Sequence, residues 1–189
     1  MTSSRFSDRV VLVTGAAIGI GAEICARFAE EDARVFGADV SWDSPSDESN
    51  GAASSEIRKL GMDVTKHQEI QDTVDEIVSS EGKIDVLVNN AGVIVPRPLA
   101  EVSREDWNRT FEVNSSGLFF CLQAVAKTMI TAVENGALTS GSIVNIASVA
   151  GLDGRTTSTP YGASKAAVVN ITRSTARELA KHNIRVNAV

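Results

Sequence analysis

Short apolar runs alternate along the chain with longer stretches in which apolar residues recur every three or four positions. The runs are Arg9–Thr14, Arg34–Val40, Ile84–Val88, Ser142–Ala147 and Ile184–Val189, with a weaker one over Ser54–Met62. Such β-rich runs predict strands, and the longer periodic stretches predict helices. Gly19–Asp32 has Ile20, Ile24 and Phe28 in helical phase, and Lys66–Ser80 has Ile70, Val74, Ile77 and Val78 on one face. A third helical stretch runs from Ser103 to about Val133, opened by a Ser103/Asp106 capping signal. A break is expected in it near Asn114, with Gly117 allowing close packing. Thr159–Lys181 is a long fourth helix carrying Val168, Val169, Ile171 and Leu179. Val10–Val13, Ile84–Val88 and Ile143–Ile146 are apolar at successive positions, so both faces of those strands should be covered. The pattern predicts an α/β fold: a doubly wound parallel sheet flanked by helices, in one domain over residues 1–189. Ser41–Ser55 is polar, aperiodic and rich in turn residues, and reads as an exposed loop.

Composition narrows the class. The chain has 189 residues, 43% hydrophobic and 22% charged, enough for one buried core and too apolar for disorder. Its net charge is −6, with Lys and Arg scattered among acids. It lacks the basic stripe of a nucleic-acid binder. Val10–Val13 is too short for a signal segment, and no apolar stretch is expected to reach membrane-spanning length. A cytoplasmic protein is expected, with neither nucleic acid nor membrane as partner. The two cysteines, Cys25 and Cys121, read as reduced thiols in helices. No Cys/His cluster has metal spacing, so no metal is expected, and His67 and His182 read as surface residues.

The chemistry lies at strand ends. Thr14-Gly15-Ala16-Ala17-Ile18-Gly19-Ile20-Gly21 joins the first strand to the first helix. Glycines there permit a tight turn and close ligand approach, and the helix N-terminus suits a pyrophosphate. Asp39 ends the second strand about 20 residues beyond that turn, where a carboxylate can accept ribose hydroxyls and would repel a 2′-phosphate. Neither Ile18 nor Val40 offers an offsetting positive charge, which favours NAD over NADP. Asp63 and Val64, at the third strand's end, could meet an adenine edge. Asn89-Asn90-Ala91-Gly92 ends the fourth strand, where small residues keep the path to the ligand open and the Asn90 amide can tie neighbouring loops. Ser148 follows the fifth strand. Tyr161 and Lys165 sit four apart on one helical face. A lysine ammonium beside a phenol favours phenolate, so such a tyrosine can trade a proton with a substrate oxygen.

Together the Thr14–Gly21 turn, Asn89–Gly92, Asn114, Ser148 and the Tyr161/Lys165 pair resemble the short-chain dehydrogenase/reductase family, across the chain from about Arg9 to Val189. The resemblance implies a Rossmann-type domain holding cofactor and substrate together. It implies Tyr161 as the catalytic acid/base and Lys165 as the residue holding the nicotinamide ribose and assisting Tyr161. Ser148 would bond the substrate oxygen, and Asn114 would hold a water linking Lys165 to solvent. Cofactor contacts are implied from Gly15, Ile18, Gly19, Ile20, Asp39, Asp63, Val64, Asn90, Ala91 and Gly92, as well as Tyr161 and Lys165. Hydride transfer between NAD(H) and a small secondary alcohol or ketone follows, in a homo-oligomer (dimer or tetramer) paired through Ser103–Val133 and Thr159–Lys181. Family members continue past the last strand here into a proline-glycine turn, a substrate-covering segment and one more strand. The chain therefore reads as a C-terminally truncated member with the last strand and substrate lid missing. A second reading stays open: a catalytically silent relative that binds nucleotide or partners only.

Overall fold

The computed structural model describes residues 4–42 and 57–189, so the loop expected over Ser41–Ser55 lies largely outside the described residues. Six strands form one sheet: β1 (Val10–Thr14), β2 (Arg34–Asp39), β3 (Arg58–Gly61), β4 (Val86–Asn89), β5 (Gly141–Asn145) and β6 (Ile184–Ala188). Every pairing is parallel, in the order β3-β2-β1-β4-β5-β6. The helices are α1 (Gly19–Glu30), α2 (His67–Glu81), α3 (Arg104–Phe111), α4 (Leu118–Glu134) and α5 (Thr159–Leu179).

β1 shows why its sequence is apolar throughout. Val10 and Leu12 join the core that includes Ile70, Val74 and Ile77 of α2 and Leu122, Val125 and Met129 of α4. Val11 and Val13 join Cys25 and Ala29 of α1 in a second core. Helices thus cover both sheet faces, and each fully buried Val or Leu stabilises the fold by about 1.5–3 kcal/mol. The chain winds outward from β1 to β3, returns beside β1 as β4, and continues to β6. At such a reversal the carboxyl ends of neighbouring strands open a crevice, here between β1 and β4. On the far side, α5 is fastened to the sheet by buried side chains. Asn89 Nδ2 donates to Asn145 Oδ1 at 3.0 Å, and Asn145 Nδ2 donates to Thr172 Oγ1 at 2.9 Å.

Four details differ from the sequence reading. β4 begins at Val86, after Ile84 and Asp85; the Asp85 carboxylate accepts from the Val10 N–H at 2.9 Å and from Arg9 at 2.7 Å. β3 begins at Arg58; the start expected at Ser54 falls outside the described residues. No break occurs near Asn114. Helical structure is continuous from Arg104 to Glu134, and Glu112–Gly117 forms a π-turn between α3 and α4. That same helix also overturns the expectation about apolar length. It contains an 18-residue window of mean hydropathy 1.4, long and apolar enough to cross a membrane. Half of that window is buried within the protein, and its packing against α2 and the sheet is that of a core helix.

Candidate active site

The crevice between β1 and β4 is closed at its base by glycines. Gly15 has φ +66°, and a Cβ there would stand 2.7 Å from the Ala91 Cα. A Cβ on Gly21 would collide with the Gly15 carbonyl and stand 2.5 Å from Asn90 Nδ2. Only hydrogen at these positions lets the turn, α1 and the β4 loop meet. The Asn90 amide fastens them, donating to the Thr14 and Gly15 carbonyls at 3.0 and 2.9 Å. Thr14 Oγ1 accepts the Asn90 and Ala91 N–H groups, both at 3.1 Å. Among the described residues no side chain caps the α1 N-terminus, so its first N–H groups face outward as an anion site would need. Ile18 and Ile20 are exposed on the turn, and Gly19 has φ +60°.

Asp39 is half-buried beside this turn. One carboxylate oxygen accepts the Ala17 N–H at 3.0 Å, and the other accepts the Ser41 N–H and hydroxyl at 2.9 and 2.8 Å. A cavity of about 370 Å³ is lined by Gly15, Asp39, Asp63, Val64, Ala91 and Gly92. Asp63 Oδ1 accepts from the Thr65 N–H and hydroxyl at 2.9 and 2.8 Å. Arg109 and Glu112 line the same cavity from the α3 end. The sequence reading missed both. Arg109 is the one basic residue among the described lining of this cavity, and no local pattern in the sequence places it in the same cavity as Asp39. A larger hollow of about 810 Å³ lies elsewhere, between residues 4–6 and the outer face of α1, and none of these residues lines it. Of the candidate residues, Gly15, Asp39, Asp63, Val64, Ala91 and Gly92 line the smaller cavity, and Asn114, Ser148, Tyr161 and Lys165 are not among its lining.

Beyond Gly92 the same crevice leads to α5. Lys165 is 4% exposed, and its Nζ donates to the Ile146 carbonyl at 2.6 Å and stands 5.7 Å from the Tyr161 ring centroid. Burial pushes the ammonium down to about 8. No ion pair to it is present among the described residues. A Cβ on Gly92 would stand 3.7 Å from Nζ, so Lys165 joins α5, the end of β5 and the β4 loop. Asn114 is fully buried in the π-turn. Its Oδ1 accepts the Val93 N–H at 2.7 Å; its Nδ2 donates to the Val93 carbonyl at 2.9 Å and to Ser164 Oγ at 3.1 Å. Ser148 caps the short turn Val149–Gly151, its Oγ accepting the Ala150 N–H at 3.1 Å. That turn lies directly on α5: a Cβ on Gly162 would stand 2.8 Å from the Ala150 carbonyl. Ser115 and Ser164, which bond within this cluster, had no signal in the sequence beyond their positions next to Asn114 and Lys165.

The remaining candidates are passive. Cys25 and Cys121 are buried free thiols in α1 and α4, and burial pushes them up to about 11 and about 12. That disfavours the reactive thiolate. His67 is exposed and meets Phe120 edge-on at 5.5 Å.

Comparison with known proteins agrees with this geometry. Residues 9–189 match the family described as short chain dehydrogenase. A 3-oxoacyl-(acyl-carrier-protein) reductase of Thermotoga maritima is 40% identical over 188 residues, covering 98% of this chain and 74% of that protein. A cyclopentanol dehydrogenase of Comamonas sp. is 38% identical over 192 residues, covering 98% and 72%. Among solved structures, an NAD⁺-bound xylitol dehydrogenase superposes with a TM-score of 0.84 at 35% identity, over 97% of this chain and 70% of that one.

Proposed function

The chain belongs to the short-chain dehydrogenase family, and from that premise we propose that it is an oxidoreductase moving a hydride between NAD(H) and a secondary alcohol or ketone. The observation that carries this is the approach of Asn114 and Lys165, with Tyr161 beside it, to Gly92, which lines the cavity that also holds Gly15 and Asp39. The residues fit a dinucleotide. Gly15 and Gly21 leave a cradle that a Cβ would fill, and the uncapped α1 N-terminus faces it. Gly15, Ile18, Gly19 and Ile20 would hold the diphosphate, Asp39 the adenosine ribose, and Asp63 and Val64 the adenine. Asn90, Ala91, Gly92, Tyr161 and Lys165 would hold the far ribose. The bound nicotinamide supplies or accepts the hydride.

The protein's own part is the proton. Tyr161 gives its hydroxyl proton to a ketone oxygen in reduction and takes it back in oxidation. The Lys165 ammonium stands 5.7 Å from the Tyr161 ring centroid, where it would hold the nicotinamide ribose. Ser148 Oγ already accepts the Ala150 N–H, so its own hydrogen remains to donate to the substrate oxygen. Both hydrogens of the Asn114 amide are spent on Val93 and Ser164, so Asn114 would hold a water joining Lys165 to solvent only as an acceptor. Asp39 favours NAD by repelling a 2′-phosphate, and Val40 beside it adds no positive charge. The solved xylitol dehydrogenase with bound NAD⁺, and relatives named cyclopentanol and sorbitol dehydrogenase, support this cofactor and substrate class. The chain acts as one dinucleotide-binding and catalytic domain and self-associates through the α3–α4 helix and α5. The test is NADH fluorescence during incubation with NAD⁺ and a panel of secondary alcohols. NADH accumulation with at least one alcohol is expected; none across the panel, with ketones and NADH also unreactive, refutes the assignment.

A further inference from the structure

Ser164 sits one position before Lys165, and is fully buried. Its hydroxyl donates to the Tyr161 carbonyl at 2.7 Å and accepts from Asn114 Nδ2 at 3.1 Å. Its own carbonyl accepts the Ser115 hydroxyl at 3.2 Å. A serine within a helix commonly bonds back to a carbonyl of the preceding turn, with little net effect on stability. Here that back-bond leaves the oxygen's acceptor side turned towards Asn114. The π-turn brings two successive residues, Asn114 and Ser115, to the hydroxyl and the carbonyl of the same serine. Single π-turns of this kind occur mostly within α-helices at functional sites. Asn114 in turn grips both backbone groups of Val93 in the β4 loop. Every hydrogen of the Asn114 amide and the Ser164 hydroxyl is used, and neither residue is reached by solvent.

We propose that Ser164 is a positioning residue for proton transfer: its hydroxyl locks the Tyr161–Lys165 turn of α5 to Asn114, and through Asn114 to the β4 loop at Val93. This rests on the oxidoreductase reading for its catalytic consequence, and on the bond network alone for its structural one. Tyr161, Ser164 and Lys165 share one helix face, so a shift of this turn moves the phenol and the ammonium together relative to the β4 loop. Misplacement by 1 Å lowers rates by about 10²-fold.

The experiment compares Ser164→Ala with Thr172→Val in the full chain. Thr172→Val also removes a buried side-chain hydrogen bond of α5, but one directed to Asn145. Ser164→Ala is expected to lower kcat by about 10-fold or more, with the NADH dissociation constant within about twofold. It is also expected to speed amide exchange at Val93, although no neighbour of Val93 in sequence has changed. Thr172→Val should lower the melting temperature and keep kcat within about twofold. Should Ser164→Ala fail to fold, Ser164→Cys keeps the volume with a weaker bond and is read in the same way. Unchanged kcat, or unchanged Val93 exchange, in the serine variant overturns the proposal. An unmodified chain with no turnover overturns the oxidoreductase reading instead, and the Val93 exchange still decides the positioning role.

Discussion

Replacing Lys165 with Met is expected to abolish turnover and, at neutral pH, to stabilise the fold. Lys165 is 4% exposed, and among the described residues its hydrogen-bond partner is the Ile146 carbonyl at 2.6 Å. Burial lowers its ionisation from 10.5 to about 8, a fall of about 2.5. At about 1.36 kcal/mol per unit, keeping this ammonium charged in the folded state costs about 3 kcal/mol below pH 8. Removing it forfeits the bond to Ile146 and leaves that carbonyl unpaired, which offsets about 1–2 kcal/mol. The net gain is about 1–2 kcal/mol, or very roughly 2–8 °C in melting temperature for a chain of this size. The folded value lies below the unfolded one, so between about pH 8 and 10.5 the unfolded chain binds more protons. Stability of the unmodified protein therefore rises with pH across that window. The methionine variant lacks this rise, so its advantage of about 1–2 kcal/mol should vanish about one pH unit above 8 and turn into a deficit by about 10.5. Urea unfolding of both proteins from pH 6.5 to 10.5 measures the gap. A methionine variant less stable than its parent at pH 7, or a gap independent of pH, refutes the reasoning.

Gly21→Ala is expected to destabilise the protein by about 1–3 kcal/mol through overpacking and to weaken NADH binding, since its methyl group would meet the Gly15 carbonyl; calorimetry showing an unchanged melting temperature would refute this. Asp39→Ala combined with Val40→Arg is expected to move preference towards NADP, because a repulsive charge is removed and an attractive one added. Equal affinity of the unmodified chain for both cofactors, by competition against NADH, would contradict the role given to Asp39. Light scattering at micromolar concentration is expected to show a dimer or tetramer, and a sharp monomer peak would count against pairing through the α3–α4 helix and α5.

The framework was legible because its signals are local. β1 and β4 show apolar residues at successive positions because both sheet faces are covered, and the glycine turn announces itself by spacing. Apart from Asn114, in the turn between α3 and α4, the candidate residues read from sequence sit at strand ends, on the turn that follows β1 or on one face of α5, so a correct strand order places most of them at one end of the sheet. What stayed hidden depends on contacts between distant segments. Arg109 and Asp39 share a cavity although α3 and β2 lie far apart in the chain. The i, i+4 spacing placed Tyr161 and Lys165 on one face but could not show that Lys165 is buried against Ile146. The π-turn at Asn114 looked like a break because one extra residue disturbs the helical period without interrupting the helix. Ser164, between two conspicuous residues, looked like an ordinary small helix residue, and only its partners distinguish it.

Isotope transfer tests the proposed activity most directly. A secondary alcohol deuterated at the carbinol carbon is incubated with NAD⁺ and the unmodified chain, and in parallel with Tyr161→Phe, which keeps the ring and loses the only tyrosine hydroxyl in the sequence. The prediction is deuterium on the nicotinamide ring with the unmodified chain, and a rate lower by about 10²–10⁴-fold in the variant, with NADH affinity retained. Deuterium transfer at equal rates in both proteins, or none in either across the alcohol panel, would contradict the assignment of Tyr161 and of the activity itself.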